Sequence, residues 1–348
     1  MHNGELKLKS FASDNYAPVH PKVIEEIIKA NVDHMKAYGA DEITQKAIDM
    51  IKKTLNSPEA EVNFVFNGTG ANVTGLQTVT NSWNSVICAK TSHINVDEGG
   101  APERLLGVKL LDIETKDGKL TPELIENLWV RMGDQHTSQP NVVSITQSTE
   151  MGTVYTPDEI KKLADLAHKN NSYLHVDGAR ISNAAASLGV SIEDITKKAG
   201  VDIFSFGGTK NGLMGAEAVV LFTKELANKY PWIRKSAMQL ASKHRYVAAQ
   251  FIALLTDDLW KKNALHANKM AQLLRNKIEK NPKIKITQLT QSNAVFAILD
   301  PSHTQKLQEK HNFYVWNDLS GEVRLMCSWD TTEEDVEKFA QDVALVCK

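Results

Sequence analysis

Cysteine is scarce in this sequence, and long apolar runs are missing. Cys88, Cys327 and Cys347 are the only cysteines among 348 residues, and their odd number and wide spacing fit neither a disulfide framework nor a metal motif. No apolar stretch approaches the ~18 residues that a membrane span needs. Residues 1–10 are polar and lack the apolar core of a signal peptide. We therefore expect a cytoplasmic protein with no metal site and no membrane association.

An excess of charge of one sign is also missing. The sequence has 40 Lys+Arg and 42 Asp+Glu residues, which gives a formal net charge of −2. Both signs are interspersed, so composition gives no reason to expect nucleic acid or an anionic membrane as a partner. The hydrophobic fraction of 42% and the charged fraction of 24% are typical of a globular protein. The length suggests two domains, at roughly 150 residues each.

The first part of the chain alternates between strand-like and helical patterns. Seven short runs are apolar and rich in β-branched residues, at 62–66, 85–89, 109–113, 142–146, 172–176, 202–206 and 218–222. Such runs suit strands that are covered on both faces. Helical patterns lie between several of them, for example at 122–132 and at 156–170, where Pro157 follows Thr156 at a helix start. The alternation predicts a large, doubly wound α/β domain with a mostly parallel sheet.

The pattern changes after about residue 250. A long helical stretch at 245–279 leads into four strand-like runs at 283–289, 294–299, 313–316 and 322–328. A last helix is predicted to open at Thr331, with Glu334 at capping-box spacing. No repeat, low-complexity segment or flexible linker is evident. We therefore predict a large domain over 1–250, including an N-terminal segment 1–20, and a smaller α+β domain over 251–348.

Two charged residues come shortly after strand-like runs. Asp177 follows the run at 172–176, and Lys210 follows the run at 202–206. In α/β folds, chemistry gathers at the carboxyl ends of the strands. An isolated lysine is usually a solvated charge, and an isolated aspartate can simply cap a turn. Together they match pyridoxal phosphate (PLP), which needs a lysine amine for a Schiff base and a carboxylate for its ring nitrogen.

A glycine-rich turn supplies a candidate phosphate site. Asn67 to Asn72 reads Asn-Gly-Thr-Gly-Ala-Asn between a strand-like run and a helical pattern. Backbone N–H groups at a helix N-terminus favour an anion, and the Thr69 hydroxyl could add a hydrogen bond. A Gly-x-Gly pair alone is weak evidence for a phosphate site, since many such turns carry glycine for geometry only. The segment is neither a Walker motif nor a dinucleotide fingerprint.

Two further residues fit a PLP site. His93 lies in a loop after the strand-like run at 85–89 and could stack on the ring and exchange protons near neutral pH. A loop histidine is, however, more often a surface residue. Arg180 follows Asp177 by three positions and could reach the cofactor's phenolic oxygen, orient Asp177, or lie on the surface.

Four motifs in order resemble the threonine aldolases. They are Gly-Thr-Gly-Ala-Asn at 68–72, Ser-His-Ile-Asn-Val-Asp-Glu-Gly-Gly-Ala-Pro-Glu at 92–103, His-Val-Asp-Gly-Ala-Arg at 175–180 and Gly-Gly-Thr-Lys-Asn-Gly at 207–212. These enzymes are fold-type-I PLP enzymes and are grouped with the β-eliminating lyases. The resemblance implies cleavage of L-threonine or L-allo-threonine to glycine and acetaldehyde. It also implies a homodimer or homotetramer with shared active sites.

The resemblance assigns roles to individual residues. It implies that Lys210 forms the Schiff base and that Asp177 pairs with the pyridinium, while Arg180 and His93 lie against the ring. The other residues that it assigns are grouped by role: Gly68, Thr69, Gly70, Ala71, Thr209 and Arg245 for the cofactor, Ser13, Arg324 and Tyr38 for the substrate, and His136 as a second catalytic histidine. Tyr38 and Arg245 resemble residues that reach the site from a neighbouring subunit.

Three segments depart from the family pattern. The usual Glu-Asn-Thr-His-Asn is Gln-Ser-Thr-Glu-Met at 147–151, and the usual Ser-Lys-Gly-Leu is Thr-Lys-Asn-Gly at 209–212. A glycine-rich stretch is replaced by Gln-Leu-Ala-Ser-Lys-His at 239–244. These changes indicate a divergent branch and leave the substrate open, including bulkier ones such as phenylserine. Another PLP reaction (β-elimination or transamination) and a non-catalytic binding module remain as alternatives.

Overall fold

The computed structural model describes residues 9–348. Residues 1–8, which carry most of the signal-peptide prediction, lie outside the described residues. The strands are β1 (Glu61–Val65), β2 (Asn84–Ala89), β3 (Lys109–Ile113), β4 (Gln139–Thr146), β5 (Tyr173–Gly178), β6 (Ile203–Gly207), β7 (Glu217–Leu221), β8 (Lys285–Ile286), β9 (Ala294–Ile298), β10 (Tyr314–Asn317) and β11 (Glu322–Met326).

The helices surround these strands. They are α1 (Pro21–Ala30), α2 (Glu42–Thr54), α3 (Gly68–Gln77), α4 (His93–Val96), α5 (Ala101–Leu106), α6 (Pro122–Ile125), α7 (Pro157–Lys169), α8 (Ile181–Leu188), α9 (Lys224–Ala227), α10 (Tyr230–Ser236), α11 (Arg245–Leu255), α12 (Leu259–Ile278), α13 (Pro301–Gln308) and α14 (Glu333–Val346). In the described part of the chain, no helix is both long and apolar enough to cross a membrane.

The larger sheet has seven strands in the order β1-β7-β6-β5-β4-β2-β3. Among the seven strands described, β7 alone runs antiparallel to its neighbours, so its first residue lies at the same edge as the last residues of the other strands. Strands β2, β6 and β7 are buried along their whole length, as the apolar runs predict. This edge, which we call the carboxyl rim, collects the segments that follow β1, β2, β4, β5 and β6. The predicted fold class is confirmed.

The second sheet is antiparallel, with four strands in the order β10-β11-β9-β8. It packs with α12, α13 and α14 around a separate core that includes Val295, Val323 and Phe339. Helix α12 connects the two cores: Trp260 near its start belongs to the larger one, and Leu274 near its end belongs to the smaller one. The domain boundary at residue 250 stays a prediction, and we place the change from one core to the other within α12.

Some predicted elements differ in extent. The stretch 245–279 forms two helices because Asp257 and Asp258 have φ of 53° and 54°, which an α-helix cannot accommodate. The run at 122–132 continues as a 3₁₀ turn over Glu126–Trp129, and the run at 283–289 pairs only over two residues. The last helix is capped by Thr332 with Asp335, one residue later than predicted, while the Thr331 hydroxyl accepts a hydrogen bond from Ser328 N instead.

Candidate active site

A cavity of about 380 Å³ opens at the carboxyl rim of the larger sheet. Its lining includes Gly68, Thr69, His93, Asp177, Lys210 and Glu217. These residues come from segments that lie far apart in the sequence. They meet because the ends of β1, β2, β5 and β6 and the start of β7 share one edge.

Lys210 lies in a single 3₁₀ turn directly after β6. The end of β6, which leads into this turn, packs tightly: a Cβ added at Gly207 would lie 2.6 Å from Ala179 Cα, so only glycine fits there. Lys210 is half-buried. Burial and the nearby Arg180 guanidinium lower the pKa of its amine. A lower pKa increases the fraction of neutral amine, which is the form that attacks a carbonyl.

Asp177 is the next-to-last residue of β5 and is buried. Its Oδ1 accepts a hydrogen bond from Ala179 N at 2.9 Å, and its Oδ2 accepts one from Asn72 Nδ2 at 2.8 Å. The two bonds fix the carboxylate in the cavity wall, one residue before the turn that leads into α8. A fixed carboxylate at this place can hold a positively charged ring nitrogen.

Asn72 links Asp177 to His93 through a second carboxylate. Besides Asp177, Asn72 Nδ2 also contacts Glu98 Oε1, at 2.8 Å. The same Glu98 oxygen lies 2.9 Å from His93 Nδ1. The hydrogen bond with Glu98 raises the pKa of His93, although burial opposes this effect. The network therefore holds the imidazole in the cavity wall and stabilises its protonated form.

The candidate phosphate site is the first turn of α3. Asn67 has extended backbone angles and caps the helix, with its side-chain oxygen accepting a hydrogen bond from Gly70 N at 2.7 Å. Ala71 N donates to Asn67 O. The N–H groups of Gly70 and Ala71 are therefore engaged, whereas Gly68 and Thr69 line the cavity, and their N–H groups have no partner within the helix. A Cβ at Gly68 would meet no atom within 4 Å, which leaves space for a ligand.

Arg180 forms its closest ion pair with Asp14. Its Nε and Nη2 donate to the two Asp14 oxygens at 2.7 and 2.8 Å. Asn293 Nδ2 donates to Asp14 Oδ2 at 3.0 Å. Burial of Asp14 opposes its ionisation, but the Arg180 guanidinium holds its pKa below the usual value. The pair anchors the N-terminal segment at the cavity mouth. The side-chain hydrogen bonds of Asp177 come from Asn72 and Ala179, so Arg180 does not orient Asp177 by a hydrogen bond.

Arg324 and Ser13 are brought together next to this anchor. Arg324 Nη2 donates to Ala12 O at 3.2 Å, and Ser13 Oγ accepts from Asn15 N. The guanidinium carbon of Arg324 lies 4.5 Å from the ring centre of Trp316. Burial and the nearby Arg180 lower the pKa of Arg324 to about 10, so it remains charged at neutral pH. Its Nε is buried without a partner among the described residues, which suits a bound carboxylate.

Six predicted residues line this cavity: Gly68, Thr69, His93, Asp177, Thr209 and Lys210. Eight others are not in its lining, and three of these, His136, Tyr38 and Arg245, lie on other surfaces. His136 is exposed in the turn before β4, at the opposite edge of the sheet from the rim. The eight residues of β4 span seven steps of about 3.3 Å, which separates the two edges by roughly 23 Å. The structure therefore does not bring His136 to the cavity of its own chain, and its catalytic role stays a prediction. Tyr38 and Arg245 lie together on a neighbouring surface, where Tyr38 N donates to Ser242 O and Arg245 Nη1 donates to Val32 O.

Several polar residues at the rim, buried or half-buried, were not identified from the sequence. Glu150 stands where the family pattern has histidine, and its Oε1 accepts a hydrogen bond from His93 N at 2.8 Å. Asn72 and Glu98 are part of the quoted motifs, but nothing in the sequence gives their partners. Glu217 directly precedes the apolar run 218–222, and a charged residue at the edge of such a run could have drawn attention to it.

The arrangement fits pyridoxal phosphate. Lys210 offers an amine of lowered pKa, Asp177 offers a fixed carboxylate, and the first turn of α3 offers open space at an anion-binding helix end. The fourth group is the guanidinium Nε of Arg324, which has no partner within residues 9–348 and offers a binding point for a carboxylate. The fold and these groups define the class of fold-type-I PLP enzymes.

The comparisons with known proteins agree with this class. The Beta-eliminating lyase family model matches residues 10–301, and the chain belongs to this family of PLP-dependent enzymes. It is 42% identical, over 97% of its length and 98% of theirs, to the low specificity L-threonine aldolases of Pseudomonas sp. (strain NCIMB 10558) and Pseudomonas aeruginosa. The structure of the threonine aldolase of Leishmania major superposes with a TM-score of 0.92 at 29% identity, covering 97% of this chain and 99% of that one.

Proposed function

We propose that this protein is a PLP-dependent aldolase that cleaves the Cα–Cβ bond of L-threonine and L-allo-threonine to give glycine and acetaldehyde. The observation that carries the proposal is the meeting of Lys210, Asp177 and the first turn of α3 at one cavity. The 42% identity to low specificity L-threonine aldolases over nearly the whole chain supports the choice of reaction.

The roles of the cavity residues follow from the chemistry of the cofactor. Pyridoxal phosphate, when bound, supplies a conjugated ring that takes up the electron pair of the broken Cα–Cβ bond. Lys210 would hold the cofactor through its nitrogen until the substrate amine replaces it. Asp177 would keep a proton on the ring nitrogen, and Gly68 and Thr69 would bind the phosphate through their N–H groups.

The substrate carboxylate would bind at Arg324. The guanidinium is held in place by Ala12 O and by the face of Trp316, and its Nε is free to donate. A planar guanidinium binds a carboxylate with two parallel hydrogen bonds, which fixes orientation as well as position. Ser13 would contribute a further hydrogen bond. With the carboxylate fixed, the Cα–Cβ bond can be aligned for cleavage.

Proton transfer in this mechanism is assigned to His93. With Nδ1 engaged by Glu98, Nε2 remains to take the proton from the β-hydroxyl group. The Cα–Cβ bond then breaks, a carbonyl forms at Cβ, and acetaldehyde leaves. Proton return to Cα completes glycine. Glu98 stabilises the imidazolium that forms between these steps, and Glu150 fixes the backbone of His93.

A second copy of the chain would complete the site, as a homodimer or homotetramer. Two large apolar side chains that line the cavity, Phe66 and Met214, are exposed. Single exposed apolar residues are common, but a group of them around one opening suits a protein interface. Tyr38 and Arg245 would reach the cavity of the partner. Their placement outside their own cavity agrees with that role.

The test is a product assay with purified protein and added pyridoxal phosphate. L-threonine, L-allo-threonine and L-phenylserine are supplied separately, and glycine and aldehyde are measured together. Equal amounts of both products are expected from at least the two threonine isomers. A keto acid would instead indicate transamination, and pyruvate or another keto acid with ammonia would indicate β-elimination. Absence of glycine from all three substrates contradicts the proposal.

A further inference from the structure

Glu217 places a carboxyl group in the cavity wall between the candidate phosphate site and Lys210. It is the first residue of β7, the one antiparallel strand of the larger sheet. Its Cα pairs with Val65 on β1 and with Gly207 on β6. The phosphate turn follows β1 within three residues of Val65, and Lys210 follows Gly207 by three residues. Glu217 therefore lies beside both segments.

The carboxyl group of Glu217 is enclosed. Only 7% of the residue is exposed. Its Oε2 accepts a hydrogen bond from Gly208 N at 3.0 Å, and its Oε1 accepts one from Thr209 N at 3.4 Å. These bonds fix the group next to the Lys210 turn. Burial raises the pKa of Glu217 to about 7, although the hydrogen bonds with Thr209 and Gly208 and the charge of Lys210 oppose this effect.

Glu217 titrates among several other charged groups. Lys210, on the turn after β6, acts directly on it and favours its anion. Segments β1 and the α3 turn bring no charged side chain between residues 64 and 72. The remaining titratable groups of the neighbouring elements include Asp14, His93, Glu98, Glu150, Asp177, Arg180 and Arg234. Of these, Asp14 and Arg180 form a pair with each other.

A phosphate group would compete with the Glu217 anion. This step rests on the proposed function. The phosphate of the cofactor is a dianion near neutral pH and would occupy the turn next to Glu217. Two anions in one enclosed cavity repel each other, and the group with the higher pKa, here the Glu217 carboxylate, takes up a proton. A neutral carboxyl group can also donate a hydrogen bond, which its anion cannot.

We propose that Glu217 belongs to the phosphate subsite of the cofactor as a neutral carboxylic acid, and that its ionisation weakens cofactor retention. Binding of the phosphate and uptake of one proton by Glu217 are then linked. The phosphate is therefore held best at a pH below the pKa that Glu217 has in the free enzyme. The affinity for the phosphate falls as the pH rises above that pKa.

The test compares pyridoxal phosphate with pyridoxal, which lacks the phosphate. Both are titrated into cofactor-free protein by tryptophan fluorescence at pH 6.5 and 8.5, and the ratio of the two affinities reports the phosphate subsite alone. With a pKa of about 7 for Glu217, the ratio should fall roughly 25-fold between these pH values in the wild type. In Glu217→Gln the ratio should change less than about twofold, because the amide cannot ionise.

Two further measurements make the result decisive. Glu150→Gln removes a different rim carboxyl, one that contacts the His93 backbone, and should keep the wild-type pH dependence. At pH 7.5 the wild-type protein should take up about 0.8 more proton per site with pyridoxal phosphate than with pyridoxal, which requires no variant. A ratio independent of pH in the wild type, or no difference in proton uptake, overturns the role of Glu217. Binding of neither compound would instead overturn the proposed function.

Discussion

The buried pair between Asp14 and Arg180 leads to a quantitative prediction. Asp14→Asn keeps the shape of the side chain but leaves the Arg180 guanidinium without its counter-ion. The side chains of Asp14 and Arg180 are only 1% and 11% exposed, and the pair has two hydrogen bonds of 2.7 and 2.8 Å. Removing one partner of such a buried pair costs about 3–5 kcal/mol. We expect this loss in the free energy of unfolding, measured by urea titration of cofactor-free protein.

Matched variants separate the pair from a general effect of charge removal. Asp134→Asn breaks an exposed pair with Arg131 and should leave the urea midpoint nearly unchanged. The double variant Asp14→Leu with Arg180→Met removes both charges and should cost much less than the sum of the two single changes. If Asp14→Asn is no more destabilising than Asp134→Asn, the pair does not anchor the N-terminal segment and the reasoning is refuted.

The pH dependence of this contribution follows from the lowered pKa of Asp14. The stabilisation is fully present above the usual pKa of 3.8 and is lost as the pH falls through the lower pKa of the folded protein. The difference in unfolding free energy between wild type and Asp14→Asn should therefore be constant from pH 5 to 8. It should shrink only in strong acid. A difference that already declines between pH 7 and pH 5 would assign the effect to another group.

Three further predictions concern the cavity. A Cβ at Gly70 would lie 2.6 Å from Gln239 Nε2, so Gly70→Ala should lower the affinity for pyridoxal phosphate about tenfold, and a second change, Gln239→Ala, should restore most of it. Glu98→Gln should lower the pKa of His93 in an NMR titration, because the hydrogen bond that raises it loses its charge; an unchanged pKa would exclude Glu98 as the cause. Arg324→Ala should raise the KM for L-threonine roughly 100-fold with a smaller change in kcat, because about 3 kcal/mol of charge-assisted hydrogen bonding is lost. A change confined to kcat would contradict the role of Arg324 in substrate binding.

The fold was predictable because its signals are local. The strands were predicted from apolar runs of four to seven residues, and most strand limits lie within two residues of the predicted ones. The exceptions depend on backbone geometry or on pairing partners. The break at Asp257 and Asp258 uses left-handed conformations that aspartate adopts only occasionally, and the short β8 depends on how far β9 extends beside it.

The candidate site was predictable only where chemistry and position coincide. Lys210 and Asp177 are charged residues at the ends of apolar runs, so their place at the rim could be inferred. The partners of Asn72 and Arg180 are 105 and 166 residues away in sequence and emerge only from the packing of the chain. His136 shows the limit of assignment by resemblance, since alignment across a variable loop placed it at a rim that β4 separates from it.

Covalent attachment of the cofactor at Lys210 is the central claim, and one measurement tests it most directly. Purified protein is incubated with pyridoxal phosphate, reduced with borohydride and digested, and the modified peptide is identified by mass spectrometry. We expect a single phosphopyridoxyl group on Lys210, and in Lys210→Ala no modification at a defined position. Modification of a different lysine in the wild type, or none, would contradict the assignment of Lys210 and with it the proposed chemistry of the cavity.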